Sequence, residues 1–322
     1  MNLTWNFDVP GEEWDRNLAA HGGHPLQSAL WGDARRAIDG IEDRRWAAYI
    51  EGRLTLMARF ESRSIPGVGR VAWLPRGPVS TAVGADAAEI ELRRRLRSAG
   101  FILCVDDRYA QANDRRRLGV PLLPRPRTAW VDLTPGRETV WKSIDPQWRY
   151  GVRSAGRLGV IVEQSHSPDD ATTFFRLCEA ISGKKGFDLS GSAELLNALL
   201  VSSAGRAVET RLFVARFNGA VAGGAAVLRC GKTLHYFWGA VDRAFSKQRP
   251  GEAVHGAILD WALAHDVERY DLEGIDQVAN PGTYQFKMKM GATEVDLVGR
   301  TAYPLNLRGR LALAVGQRFG RI

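Results

Sequence analysis

The sequence predicts an α/β protein made of a duplicated unit, each copy a mixed, mostly antiparallel sheet flanked by helices. Two observations carry this. The chain has 322 residues, enough for two domains at roughly 150 residues each. A hairpin, a strand ending in Gly-x-Val, a helix and an acid-bearing strand also occur twice in the same order. The second copy follows the first by about 162 to 167 residues (Gly77 to Gly239, Gly52 to Gly219), the spacing of a duplicated supersecondary unit.

The elements follow in order. Leu3 to Val9 reads as a short strand, and Pro10 to His21 as a helix with proline in its first turn. A second helix runs from Pro25 to Ile38. Trp46–Ile50 and Leu54–Phe60 alternate about Glu51-Gly52-Arg53, a hairpin signal. Val71–Leu74 ends in Pro75-Arg-Gly-Pro-Val79. A helix from Asp86 to Ala99 leads to the apolar strand Phe101–Val105, expected to end at Asp106-Asp107. Pro121 to Pro126 is the natural linker. It sets the expected domains at 1–125 and 126–302, with 303–322 able to pack back on the first.

Beyond the linker come strand Thr128–Leu133 and a basic helix, Arg137 to Leu158, broken near Pro146. Helices Pro168–Ser182 and Ser192–Ala204 precede a second hairpin, Leu212–Phe217 and Ala220–Leu228, about Asn218-Gly219, a strong hairpin signal. Strand Thr233–Trp238 ends in Gly239-Ala-Val241, and the helix Gly251–Ala264 leads to strand Arg269–Leu272. A mobile loop around Asn280-Pro281-Gly282 enters a short helix carrying Phe286-Lys287, before strand Glu294–Thr301. Leu307, Leu311, Val315 and Phe319 repeat every four residues beside Arg308, Arg310 and Arg318, as in a packed amphipathic helix or, as the alternative, a membrane foot.

Hydrophobic residues make up 45% and charged residues 25% of the chain, which excludes a disordered protein. No apolar run reaches the roughly 20 residues of a membrane-spanning helix. The N-terminus lacks the apolar stretch of a secretory leader, so a cytoplasmic protein is expected, either free or peripheral at the inner membrane face. Three distant cysteines, Cys104, Cys178 and Cys230, give neither a disulfide framework nor a metal knuckle. The six histidines lack ligand spacing, and there is no Walker loop, Gly-x-Ser-x-Gly or His-Glu-x-x-His, so no metal is expected. The net charge of +8 favours an anionic partner: nucleic acid, a phosphorylated ligand or the inner face of a membrane. Only 7 of the 44 basic residues are lysines, so a lysine in a turn is the more informative signal. Lys287, just beyond such a turn, reads either as a solvated lysine on a helix face or as a cation that stabilises negative charge developing on a carbonyl or phosphate. Arg149 and Arg153 lie one helical turn apart, hence on one face, either binding tRNA phosphates or keeping the helix soluble. Gln248-Arg-Pro-Gly251-Glu-Ala253 opens a helix, either as a plain Pro-Gly helix entry or as a turn whose free amides and dipole suit a pyrophosphate.

Gln27-Ser-Ala-Leu-Trp31, Leu74-Pro-Arg-Gly-Pro78, Arg149-x-x-x-Arg153, Tyr270-Asp-Leu-Glu-Gly274 and Phe286-Lys287-x-Lys-x-Gly291 occur in that order. As a set they resemble the Fem family of peptidoglycan-bridge aminoacyltransferases over nearly the whole chain. The resemblance implies two tandem GNAT-like domains. It implies transfer of an amino acid from aminoacyl-tRNA to an amine of a nucleotide- or lipid-linked muropeptide, or of a related peptide natural product. No bound cofactor is implied, and a monomer is expected. Carried over residue by residue, the family's phosphate-contacting lysine falls on Arg35, one turn beyond Trp31. Its acid falls on Asp106, its Phe-Lys pair on Phe286 and Lys287, and its strand-end aromatic on Tyr236 or Trp238. The family's second phosphate-binding arginine has no match near Ser190, where Lys184 or Lys185 can substitute. A coiled-coil arm present in some members is absent. Two alternatives stand beside this: an acyl-CoA-dependent N-acyltransferase using the Gln248–Ala253 turn, and a catalytically dead GNAT-like scaffold of the cell envelope.

Overall fold

The structure, a computed structural model, describes residues 2–81, 84–111, 119–122, 124–185 and 189–318. The chain divides into two compact units, Met1–Pro126 with Asp296–Ile322, and Arg127–Val295.

The first unit opens with β1 (Leu3–Asn6), α1 (Gly11–Ala20), a 3₁₀ turn (Pro25–Gln27) and α2 (Ala29–Asp39). β2 (Asp43–Ile50), β3 (Arg53–Ile65) and β4 (Gly69–Arg76) form an antiparallel meander, and β5 (Val79–Ser80) pairs with β3. α3 (Ala85–Ser98) carries the chain back to β6 (Phe101–Gln111), parallel to β4. Parallel neighbours need such a crossover, which a helix supplies. β7 (Val120–Pro121) closes this stretch.

The second unit repeats the plan. β8 (Arg127–Asp132), α4 (Arg137–Ser143), α5 (Pro146–Arg157), β9 (Ile161–Ser165), α6 (Pro168–Lys185) and α7 (Ala193–Ser202) come first. The meander is β10 (Val208–Phe217), β11 (Ala220–Cys230) and β12 (Thr233–Val241). A 3₁₀ turn (Arg243–Gln248) and α8 (Pro250–Ala264) lead to β13 (Arg269–Gly274), parallel to β12, and then to α9 (Pro281–Met288). β14 (Thr293–Pro304) and α10 (Leu307–Arg318) end the described chain.

Strand order is β1-β2-β3-β4-β6-β14 in the first unit and β8-β13-β12-β11-β10-β9 in the second. Residues 296–302, assigned by sequence to the second domain, belong to the first unit. The cause is pairing: Thr301 lies opposite Asp106 and Tyr303 opposite Cys104, so β14 completes the first sheet. Hydrophobicity marks β14 as a strand, but its partner is a long-range choice.

Both cores follow the expected patterning. Trp46, Phe60, Leu74, Leu92 and Phe101 pack between the first sheet and α3, with a smaller cluster of Val71, Leu103, Val105 and Leu313 on the opposite face under α10. Trp148, Val227, Ile258, Leu259, Tyr270 and Met290 unite α5, α8 and the second sheet. α10 departs from expectation. It buries Gly309 and Leu313 and leaves Leu307, Leu311 and Val315 exposed, while Phe319 lies outside the described residues.

Two sequence motifs lock each other in the first unit. The fully buried Gln27 amide donates to the Arg59 and Pro75 carbonyls at 2.9 and 2.7 Å and accepts from the Arg59 amide at 2.9 Å. Gly77 sits against that amide, in space that a Cβ would take. Gln27-x-x-x-Trp31 and Leu74-Pro-Arg-Gly-Pro78 thus hold the fold together before any part they take in binding.

Candidate functional site

The second unit opens its sheet between β12 and β13. Their parallel pairing runs only from Thr233 opposite Arg269 to His235 opposite Asp271. Beyond it both strands continue unpaired with each other. Tyr236 is the first β12 residue past the fork.

A register shift decides where the aromatics point. Val227 pairs with Tyr236 and Ala226 with Trp238, leaving Phe237 as an extra residue in β12. Such a bulge reverses the alternation of faces. The Tyr236 ring therefore meets His255 of α8 at 4.8 Å, and Gly239 supplies the room under its hydroxyl. Trp238 meets Phe175 of α6 at 5.6 Å and donates from Nε1 to the Ser190 carbonyl at 2.8 Å. Simple alternation would have put both on one face. Tyr236 lies at the fork, and Trp238 is a buried anchor on the other side.

Lys287 sits inside the short helix α9, as expected, but it is buried rather than solvated, at 6% exposure. Its Nζ donates to the carbonyls of Gly274 at 2.8 Å and Glu273 at 3.4 Å, and lies 5.5 Å from the centre of the Tyr236 ring. Burial pushes the ammonium down to about 8, against the opposing pull of the Glu273 and Asp271 carboxylates.

Asp271 builds this arrangement. Fully buried, it accepts hydrogen bonds from Thr128 Oγ1, Trp130 Nε1 at 2.9 Å and the Glu273 amide at 2.8 Å. The last bond turns the chain so that Glu273 takes a φ of 57°, a conformation uncommon for a side chain with a Cβ. The turn follows the last regular pair with β8, Asp271 opposite Trp130. The carbonyls at 273 and 274 then face Lys287, and the Glu273 carboxylate meets His235 Nδ1 at 2.8 Å.

Behind Lys287, Tyr270 Oη and His255 Nδ1 are hydrogen-bonded at 3.0 Å, the direction set by the imidazole tautomer. Burial, and then the nearby Lys287 charge, lower the His255 imidazole to about 3, so it is neutral at physiological pH. Phe286 packs edge-on to His255 at 5.4 Å and against Trp148 of α5 at 6.0 Å. Sequence reasoning named Tyr270 and Asp271 only as part of a motif and missed His255. A lone histidine on an apolar helix carries no chemical signal until tertiary contacts place it.

α5 links this fork to a cationic groove. Asp145 caps the helix, accepting from the Gln147 and Trp148 amides at 2.8 and 3.1 Å, with Pro146 in the first turn. Arg149 and Arg153 line a groove of about 560 Å³ with Arg137, Trp141 and Lys142. Arg137 and Lys142 are paired, with Asp260 and Glu138, each at 2.8 Å. Among the described residues Arg149 and Arg153 have no ion-pair partner, and the buried Nε of Arg149 has no hydrogen-bond acceptor. Gln248–Ala253 does open α8, but its first turn carries Glu252, which lies 3.6 Å from Arg249 and against Gly151 of α5. A carboxylate there opposes a bound anion.

The remaining candidates belong to the first unit. Asp106 lies within β6, not at its end, because pairing with β4 and β14 carries the strand on to Gln111. Its Oδ2 accepts from Arg108 at 3.2 Å, while its buried Oδ1 has no partner among the described residues. Burial pushes its carboxyl up to about 6, against the pull of Arg108. Arg108 is clamped bidentately by Glu89 at 2.7 and 2.6 Å. Arg35 pairs with Asp39 at 2.8 Å one turn along α2, and Trp31 is buried on the same helix. Lys184 and Lys185 end α6, and their side chains lie outside the described residues.

Residues 146–288 match the acetyltransferase (GNAT) domain family. No curated protein sequence matches the chain. Among solved structures the chain is similar to FemX, with a TM-score of 0.79 and 16% identity over 98% of this chain and 100% of that one. It is also similar to L-PGS from Bacillus licheniformis, at 0.61 and 14% over 97% and 98% of the two chains. A tandem GNAT protein from the clavulanic acid biosynthesis pathway aligns at 0.54 and 11% over 95% and 99%. No helix among the described residues is long and apolar enough to cross a membrane. The chain has the fold of FemX, the GNAT match falls within its second unit, and the Fem resemblance read from the sequence holds at the level of fold.

Proposed function

We propose that the protein transfers an amino acid from aminoacyl-tRNA to an amine of a peptidoglycan-precursor peptide or related peptide. The observation that carries the reading is Lys287: a buried ammonium, held by two carbonyls beside Tyr236, where the GNAT-type sheet forks. Keeping a lysine down near 8 costs on the order of 3 kcal/mol, which favours a working site over a dead scaffold.

The aminoacyl ester is already activated, so the chemistry required is modest. The neutral acceptor amine attacks the ester carbonyl, a tetrahedral oxyanion forms, and the ribose oxygen leaves with a proton. Holding both reactants in line supplies much of the rate. Lys287 stabilises the oxyanion or the departing oxygen, the role for which a preformed donor in a dry site is strongest. Phe286 and Tyr236 shape the wall beside it. Arg149 and Arg153 take tRNA phosphates, and α5 joins them to the fork because Trp148 packs on Phe286. In the first unit, Arg35 takes acceptor phosphates after releasing Asp39. Asp106 orients or deprotonates the amine, for which a carboxyl near 6 is suited.

The GNAT match favours a second donor, acyl-CoA, at the Gln248–Ala253 turn. Glu252 in that turn weighs against it. The experiment gives the protein tRNA charged with radiolabelled amino acids and a nucleotide-linked muropeptide. Label in a product that resists the mild alkali that cleaves the ester supports the proposal. Acylation of the same acceptor from acetyl-CoA, with none from charged tRNA, would overturn it.

A further inference from the structure

α10 presents an apolar stripe that the first unit does not use. Gly309 and Leu313 face inward, Gly309 so close to the Ile102 carbonyl that a Cβ would collide with it. This contact fixes the rotation of the helix. Leu307, Leu311 and Val315, spaced one turn apart, are then turned outward, at 74, 67 and 55% exposure. Turned outward with them are Arg308, Arg310 and Arg318, which have no ion-pair partner among the described residues. The 12-residue helix contains no acid. On the same sheet face, packed against the cluster that holds Leu313, Trp73 lies between the guanidinium groups of Arg63 and Arg300, at 5.2 and 5.1 Å.

We propose that α10 is a docking helix for an anionic lipid bilayer. A helix with a narrow apolar stripe bordered by arginines lies in the plane of the interface, its apolar side chains among the acyl chains and its cations at the headgroups. Neither ingredient suffices alone. Three aliphatic side chains give only weak, reversible binding, and the arginines add attraction that depends on lipid charge. The same charges disfavour a second copy as occupant, since a symmetric helix pair would oppose arginine to arginine. The inference is independent of the acyl donor, because it rests on the first unit alone.

The test is co-sedimentation of the full chain with large vesicles of neutral phosphatidylcholine, or of phosphatidylcholine with 30 mol% phosphatidylglycerol. The expected result is binding to the anionic vesicles at least tenfold stronger than to the neutral ones. Leu307→Ser with Leu311→Ser should cut that binding at least tenfold, and Arg308→Gln with Arg310→Gln should do the same. Both pairs are exposed, so thermal midpoint and aminoacyl transfer to a soluble acceptor should match wild type. Equal binding by wild type and the Leu307→Ser/Leu311→Ser variant would overturn the proposal, as would equal binding to both vesicle types or to neither. Concentration-dependent dimerisation lost in that same variant would assign the stripe to a second copy instead.

Discussion

The ammonium of Lys287 donates to the carbonyl of Gly274 at 2.8 Å, across the turn that Asp271 imposes on the end of β13. A helix and a strand end thereby fix one cation at the fork of the second sheet. The side chain is pinned before any substrate arrives, as preorganised charge stabilisation requires.

Lys287→Met keeps much of the side-chain volume and deletes the charge. Turnover should fall by about 10² or more, with donor and acceptor affinities little changed. Two carbonyls lose their donor, which costs about 1–3 kcal/mol, partly offset by no longer burying a charge. Chemical denaturation should show a change of no more than about 2 kcal/mol. Lys289→Met, two residues on and turned away, is the control. Equal loss in both variants would indicate a diffuse electrostatic patch.

The same lysine sets a pH dependence. In the unfolded chain it titrates near 10.5 and in the folded chain near 8. Between these values the unfolded state binds more protons, so this group makes folding more favourable as pH rises through that window. Wild type should gain stability relative to Lys287→Met between pH 8 and pH 10. Turnover should move the opposite way, declining above about pH 8 as the cation is lost. A basic limb of kcat that persists unchanged in Lys287→Met belongs to another group.

Arg149 and Arg153 predict a salt-dependent donor affinity. Removing one phosphate-binding cation should lower the slope of log binding against log salt by about 1. Arg149→Ala with Arg153→Ala should thus weaken charged-tRNA binding at low salt and flatten its salt dependence by about 2. Unaltered binding isotherms in a folded double variant would return both residues to the role of solubilising the helix.

Asp106 should leave a mark on acid stability. Its carboxyl is raised from 3.8 to about 6, so the folded state holds the extra proton and this group's contribution is lost as pH rises through 6. Asp106→Asn should remove that part of the stability change between pH 4 and pH 7, measured by urea denaturation at each pH. If Asp106 also serves the acceptor amine, the variant lowers turnover at pH 7 without weakening donor binding. An unaltered stability profile would mean the carboxyl titrates normally.

The duplicated plan was legible in the sequence because each unit depends on local signals: turn residues at Glu51-Gly52 and Asn218-Gly219, period-2 strands, and a helix between parallel neighbours. Phe286-Lys287 stood out because lysine is rare in this chain and this one follows a glycine-rich turn. What a single side chain faces was decided by long-range pairing. One extra residue at Phe237 sends Tyr236 and Trp238 to opposite faces, and periodicity cannot reveal an insertion that only the β11 register creates. Asp106 became a mid-strand residue because β14, far along the chain, pairs beside β6. Lys287 became buried because the Asp271 turn supplied carbonyls to receive it. α10 turned its leucines outward because the glycine at 309 fits against the Ile102 carbonyl. The sequence by itself determined which elements form, since propensity and patterning are local. Tertiary structure decided burial, register and charge environment, since each depends on partners distant along the chain.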